Sequence, residues 1–131
     1  MSGKTDEALL QRRFDKIITQ RYLLVLDQNF RIEAIDPAAS GLFNCRPDEM
    51  VGRRIYEMCD AQWNIVELRH LLEKRLAASD WVEDYRVEHK FEANGRRTLH
   101  LNTLRMSFAD NRVRILLAIC DSAEQAVCKT R

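Results

Sequence analysis

An α+β fold built around an antiparallel sheet is what this sequence predicts, on three observations. An Asn94-Gly95 pair separates two alternating runs, Val87–Phe91 and Arg97–Asn102. Both residues tolerate the positive φ of a type I′ turn, so the pair is the strongest short-range signal for a β-hairpin. The order of elements is the second: two strand-like runs, then helical segments, then three strand-like runs. The third is one-sided alternation within the long runs, which suits a sheet covered mainly on one face.

The chain has 131 residues, enough for one domain with one core. Hydrophobic residues make up 46% and charged residues 31%, the balance of a globular rather than a disordered chain. The 21 basic and 20 acidic residues leave a net charge of +1, so no long-range field draws in nucleic acid or an anionic membrane. No apolar run approaches the roughly 18 residues of a membrane span. The first residues lack the apolar stretch of a secretion signal, and the protein is expected in the cytoplasm. The expected organisation is an N-terminal helical segment over 1–21, a domain over 22–121 and a short tail over 122–131.

The elements follow in order. Residues 6–20 read as an amphipathic helix, with Leu10, Phe14, Ile17 and Ile18 as its apolar stripe. That stripe suits either packing on the chain's own sheet or pairing two copies. Tyr22–Asp27 is an apolar run of strand length, Gln28-Asn29 a turn, and Arg31–Ile35 a returning strand. Asp36 is placed to cap a helical turn that opens on Pro37 and continues from Ala38 to Phe43. Pro47–Met50 begins another short helix that Gly52 ends. From Trp63 to Ala77, Ile65, Leu68, Leu71, Leu72 and Leu76 share one helical face, and His70 points almost opposite.

Trp81–Phe91 is the third strand. Its odd positions, Trp81, Glu83, Tyr85, Val87, His89 and Phe91, form the more apolar face. Arg97–Phe108 is the fourth strand, Asp110-Asn111 a tight turn, and Arg112–Asp121 the fifth. Leu116 and Ala118, opposite Ile115, Leu117 and Ile119, require cover on the second face as well, and the N-terminal helix can supply it.

Cys45, Cys59, Cys120 and Cys128 include no Cys-x-x-Cys pair, so a zinc site is not expected. Four free thiols are the expectation for a reducing cytosol. No phosphate loop, metal-ligand spacing or Ser/His/Asp order supports catalysis.

Strand-strand-helices-strand-strand-strand in this length resembles the PAS domain over roughly residues 20–123. Leu24–Asp27, Ile32–Asp36 and Pro47–Gly52 resemble its opening half. Gln62–Ile65 with Glu67–Glu73, and Val87–Phe91 with Gly95–Arg97 and Leu101-Asn102, are similar to one subgroup. That subgroup is attached to bacterial chemotaxis methylesterase/methyltransferase fusions and to related sensor histidine kinases. The resemblance implies a five-stranded antiparallel sheet with helices on one face, a sensory or interaction role without catalysis, and flanking helices that pair subunits. The usual exit motif is Asp, an apolar residue, then Thr. Here it is Asp121-Ser122-Ala123, and only the Asp is kept.

Flavin photochemistry is not expected. Cys45 in Asn44-Cys45-Arg46 precedes Pro47–Gly52, whereas the reactive cysteine of the related photosensory domains follows the short helix. Haem is not expected either, because His70 turns away from the leucine stripe. The candidate pocket residues are His89, Asn102, Tyr85 and Trp63. His89 and Asn102 lie on neighbouring strands and are placed to converge, while Trp63 also serves as a packing anchor. Arg97 is expected to pin the hairpin through an acidic neighbour.

The expected function is a non-catalytic bacterial signalling module, cytoplasmic, binding a small ligand or a partner protein and homodimerising through Leu10, Phe14, Ile17 and Ile18. Acting in trans on a sensor kinase or another signalling protein fits a chain without an effector. The alternatives are a pure dimerisation or adaptor module with a filled core, or a small α+β enzyme using His89.

Overall fold

The computed structural model describes residues 2–20, 22–91 and 95–122. Asn94 and the tail from residue 123 lie outside them. Helix α1 (Ser2–Ile18) leads into strands β1 (Tyr22–Asp27) and β2 (Ile32–Ile35). Helices α2 (Ala38–Phe43) and α3 (Pro47–Met50), a tight turn at Cys59–Ala61, and a helix from Val66 to Ala78 follow. Strands β3 (Trp81–Phe91), β4 (Gly95–Ser107) and β5 (Val113–Asp121) complete one five-stranded sheet in the order β2-β1-β5-β4-β3. Every pairing is antiparallel.

Local chemistry sets the turns. The Asp27 carboxylate accepts from the backbone N–H groups of Asn29 (2.8 Å) and Arg31 (2.9 Å), which closes the β1–β2 turn with Phe30 at φ +67°. Asp36 accepts from the Ala38 N–H at 3.0 Å at the start of α2. Asp110 does the same for Arg112 at 3.0 Å in the β4–β5 turn, where Asn111 takes φ +65°. Its carboxyl is held below the ordinary carboxylate range, mainly by the hydrogen bond from Arg114.

The β3–β4 hairpin departs from the two-residue Asn94-Gly95 turn. Phe91 pairs with Gly95 and Lys90 with Arg96, so the connection is residues 92–94, and Gly95 (φ +73°) opens β4. The consequence is a register in which His89 faces Arg97.

A second departure lies within β3. The register shifts between Val82 and Tyr85, and Asp84 takes φ +59°. One extra residue reverses the parity of the strand. Val82 therefore joins Val87 and Tyr85 on one face, and Trp81 packs on the other.

The inner face carries the main core. Leu24, Leu26, Leu99, Leu101, Leu117 and Ile119 are fully buried beneath Met50, Ile55, Met58, Leu68, Leu71 and Leu76. Each such side chain contributes about 1.5–3 kcal/mol by leaving water. The Val66–Ala78 helix widens to a π turn at Leu71–Arg75, and Leu71, Leu72 and Leu76 all turn inward there. On the outer face α1 lays Ile17, fully buried, against Leu104, Leu116 and Ala118. Phe14 is half-buried beside it, Leu10 is 37% exposed and Ile18 is 42% exposed. Ile17 is thus a core residue of its own chain and presents no surface for pairing copies.

The expected free thiols are corrected for the described cysteines. Cys45 and Cys59 form a disulfide with Cα atoms 5.9 Å apart, and Cys120 is also disulfide-bonded. The folding of the α2–Cys59 segment brings the first pair together, which spacing along the chain does not reveal.

Candidate functional site

An open cleft of about 430 Å³ lies where the π turn meets the mouth of the sheet. Gln28 and Phe30 of the β1–β2 turn form one wall, Leu72, Glu73 and Ala77 a second, and Arg105, Val113 and Ile115 the third. That volume is within the range of small-molecule sites, and the walls mix apolar side chains with a few polar groups.

Two buried hydroxyls belong to neighbours of its lining residues, Thr103 beside Arg105 in β4 and Tyr56 against Phe30. Thr103 is fully buried on the inner face of β4, one same-face position along from Arg105, and it pairs with Leu117 across β5. Its Oγ1 has no hydrogen-bond partner among the described residues. The Tyr56 hydroxyl is also buried, but the Glu73 carboxylate lies close enough to act on it as an acceptor. Its ring meets Phe30 edge-on at 5.9 Å and lies beneath the Arg69 guanidinium at 4.1 Å. Burial first, and the Glu73 carboxylate second, push its pKa above the ordinary phenol value. A buried hydroxyl without a partner costs about 1–3 kcal/mol, so Thr103 marks a place where a bound polar group would be favoured.

The cleft's ends are tied by charge. Arg105 Nε and Nη2 reach one Asp80 carboxylate oxygen at 3.0 and 2.9 Å, and Arg69 meets Glu73 at 3.0 Å. On the same helix, Nδ1 of His70 lies 3.1 Å from the Tyr85 hydroxyl of β3, the two rings stack at 6.2 Å, and Arg75 sits 5.5 Å over the Tyr85 ring. Burial raises the Tyr85 pKa.

The four pocket residues named from the sequence do not form one site. Tyr85 and His89 share the inner side of β3. Trp63 is buried against Phe43 of α2, ring to ring at 4.6 Å. Asn102 faces the opposite side, paired with Ala118, and its Oδ1 accepts from the Asp84 N–H at 2.8 Å to secure the bulge. The convergence of His89 with Asn102 is therefore overturned. A two-residue Asn94-Gly95 turn would set His89 opposite His100, on the face of Asn102. The observed connection sets it opposite Arg97 instead. Arg97 pairs with the buried Asp121, the acidic neighbour expected for it.

A Ser–His–Asp series does occur, in the chain order Asp84, His100, Ser122. His100 Nδ1 lies 2.7 Å from Asp84 and Nε2 lies 3.0 Å from Ser122 Oγ. The Asp84 side chain is 72% exposed, so it lacks the desolvation that gives a triad carboxylate its strength. The series ties the β3 bulge to the end of β5. Among the described residues no group of three or more His, Cys, Asp and Glu side chains could hold a metal ion, and no helix is long and apolar enough to cross a membrane.

Thr103 was open to detection, because alternation from Leu99 and Leu101 places it inside. Phe30 and Tyr56 come from non-repeating segments, which carry no such signal.

The fold has counterparts among solved structures. The PAS domain of Bordetella pertussis BvgS is 18% identical, with 92% of this chain and 90% of that one covered at a TM-score of 0.57. The PAS domain of nitrogen regulation protein NR(II) from Vibrio parahaemolyticus is 16% identical, with coverages of 76% and 87% and a TM-score of 0.56. Drosophila melanogaster Cycle PAS-B with bound ethylene glycol is 13% identical, covered at 77% and 99% with a TM-score of 0.58. No curated protein matches the chain. The family model described as PAS fold matches residues 19–126, from just before β1 to past β5, so the chain belongs to the PAS-fold family.

Proposed function

We propose that this PAS domain is a sensory module that binds a small, largely apolar ligand with one hydrogen-bonding group in the cleft between the π turn and the sheet. The observation that carries the reading is the fully buried Thr103 hydroxyl, without a hydrogen-bond partner among the described residues and one same-face strand position from the cleft wall at Arg105. A ligand acceptor or donor reaching it would satisfy a group that the free protein leaves at a cost. The wall formed by the π turn is the natural element to move on binding, since such turns shift register by one residue.

Thr103→Val tests this. Without ligand it should leave stability unchanged or raise it by about 1 kcal/mol, because an unsatisfied hydroxyl is exchanged for an isosteric methyl. Thermal-shift titration with small alcohols and amides should give saturable stabilisation of the wild type, weakened about tenfold in the variant, the loss of one buried hydrogen bond. If no compound stabilises the wild type, or the variant responds equally, the cleft is not the sensory site.

The module acts on a signalling partner such as a sensor kinase, and two copies pair through the exposed flanks of α1. Leu9, Leu10 and Ile18, each 37–42% exposed, support this second element. Ile18→Asp together with Leu10→Asp should convert a dimer to a monomer in sedimentation, with the melting temperature of the monomer nearly unchanged. A wild type that stays monomeric at millimolar concentration removes the pairing.

A further inference from the structure

We propose that Cys45–Cys59 is a thiol–disulfide exchange site, opened by small uncharged or cationic thiols, and that opening it releases the left-handed turn at Cys59–Ala61. The inference does not depend on the ligand cleft, which lies among other residues.

Both cysteines are half-buried and line a second, more polar cleft of about 610 Å³ that is open to solvent. A small thiol can therefore reach the sulfurs. Cys45 follows Asn44, the left-handed cap of α2 (φ +56°), and Cys59 begins the turn. Cys59, Asp60 and Ala61 take φ values of +53°, +61° and +59° in succession. L-residues visit this region singly, so three in a row without glycine store strain that something must hold. Besides the disulfide, the turn is held by backbone bonds from Ala61 N–H to the Met58 carbonyl (3.0 Å), Gln62 N–H to the Cys59 carbonyl (3.4 Å) and Asn64 N–H to the Ala61 carbonyl (3.1 Å), and by the Gln62 side chain on the Cys59 carbonyl at 3.2 Å. Two residues beyond Ala61 comes Trp63, packed on Phe43 of α2. The disulfide and the aromatic pair thus join the same two segments, and loss of one changes the load on the other.

The cleft also selects the reagent. Glu49, Glu57 and Asp60 line it with Arg53, and the exposed Arg46 meets Glu49 at its rim at 3.6 Å, so carboxylates outnumber guanidiniums three to two. Anionic thiols are repelled, and cationic ones are drawn in. Glu49 Oε1 lies 3.8 Å from the Cys45 sulfur and, only partly neutralised by the solvent-exposed Arg46 guanidinium 3.6 Å from its other oxygen, disfavours negative charge on that sulfur. The incoming thiolate RS⁻ accordingly attacks Cys45 Sγ, the Cys45–Cys59 bond breaks, and Cys59 leaves as the thiolate. A second RS⁻ attacks the sulfur of R in the mixed disulfide and releases Cys45. In sum, one protein disulfide and two RSH give two protein thiols and RSSR: the protein gains two electrons and two protons, and the small thiol is oxidised.

The oxidised full chain, carrying Trp81→Phe so that Trp63 alone reports, is treated with cysteamine or 2-mercaptoethanesulfonate at equal thiolate concentration. It is then alkylated with N-ethylmaleimide and peptide-mapped, with fluorescence and circular dichroism followed in parallel. The expected result is labelling of Cys45 and Cys59 about threefold or more faster with cysteamine. A transient cysteamine adduct should appear on Cys45, and Trp63 emission should shift to the red with secondary structure retained. Cys45→Ser/Cys59→Ser should show the shifted emission without any thiol. If that variant does not fold, the reduced wild type still decides. Failure to label either cysteine, equal rates with the two thiols, unchanged emission after labelling, or loss of secondary structure on reduction overturns the proposal.

Discussion

Trp63→Ala should lower folding stability by about 4 kcal/mol, the cost of removing a large aromatic from a closed site. Trp63 is 3% exposed, and its ring meets Phe43 edge-on at 4.6 Å. It is the point where the segment after the Cys59–Ala61 turn attaches to α2, so no neighbouring helix is free to collapse into the space. Urea unfolding of the variant should move the midpoint without a change in slope. Trp63→Phe should recover about half of the loss, since an edge-to-face contact with Phe43 survives while the smaller ring leaves a void. If Trp63→Ala costs less than about 1.5 kcal/mol, the inner layer is held by the leucines of the Val66–Ala78 helix, and Trp63 is not an anchor.

Arg97→Met should cost about 3 kcal/mol for a different reason. Asp121 is 3% exposed, and the Arg97 guanidinium meets its carboxylate across the end of the sheet. Removing the cation leaves a buried charge short of compensation, which is worse than having neither partner. The double variant Arg97→Met/Asp121→Leu should therefore be more stable than Arg97→Met alone, returning to within about 1 kcal/mol of the wild type. A double variant no better than the single one would mean that Asp121 owes its burial to other contacts. Asp121 is also the retained residue of the exit motif, so the same pair fixes where the sheet hands over to whatever follows it.

Periodic parts of the fold were legible in the sequence. An apolar run of strand length located β1, alternation located β4 and β5, the leucine spacing located the Val66–Ala78 helix, and Asp27, Asp36 and Asp110 carry out the turn and capping chemistry their positions suggest. Illegible were the events that change a period by one residue. The β3 bulge uses Asp84 rather than glycine, so nothing in the pattern warned that Trp81 and Val82 would exchange faces. The π turn adds a residue without a sequence marker. The three-residue hairpin connection moved His89 from the face of Asn102 to that of Arg97. Each slip is small along the chain, yet each changes which side chains meet across neighbouring elements. His89 therefore parted from Asn102, whereas Thr103, anchored within an undisturbed strand, was in reach of the same logic. The disulfide came from tertiary proximity, which spacing does not encode.

The β3 bulge has a bearing on solubility. β2 and β3 are the two open margins of the sheet. β2 is only four residues long, and β3 is kinked at Asp84, with Glu83, Arg86, Glu88 and Lys90 exposed along it. A foreign strand would find one margin too short to template and the other bent and charged. Copies of this protein are thus steered away from edge-to-edge growth into fibrils, and association through faces is left as the open route.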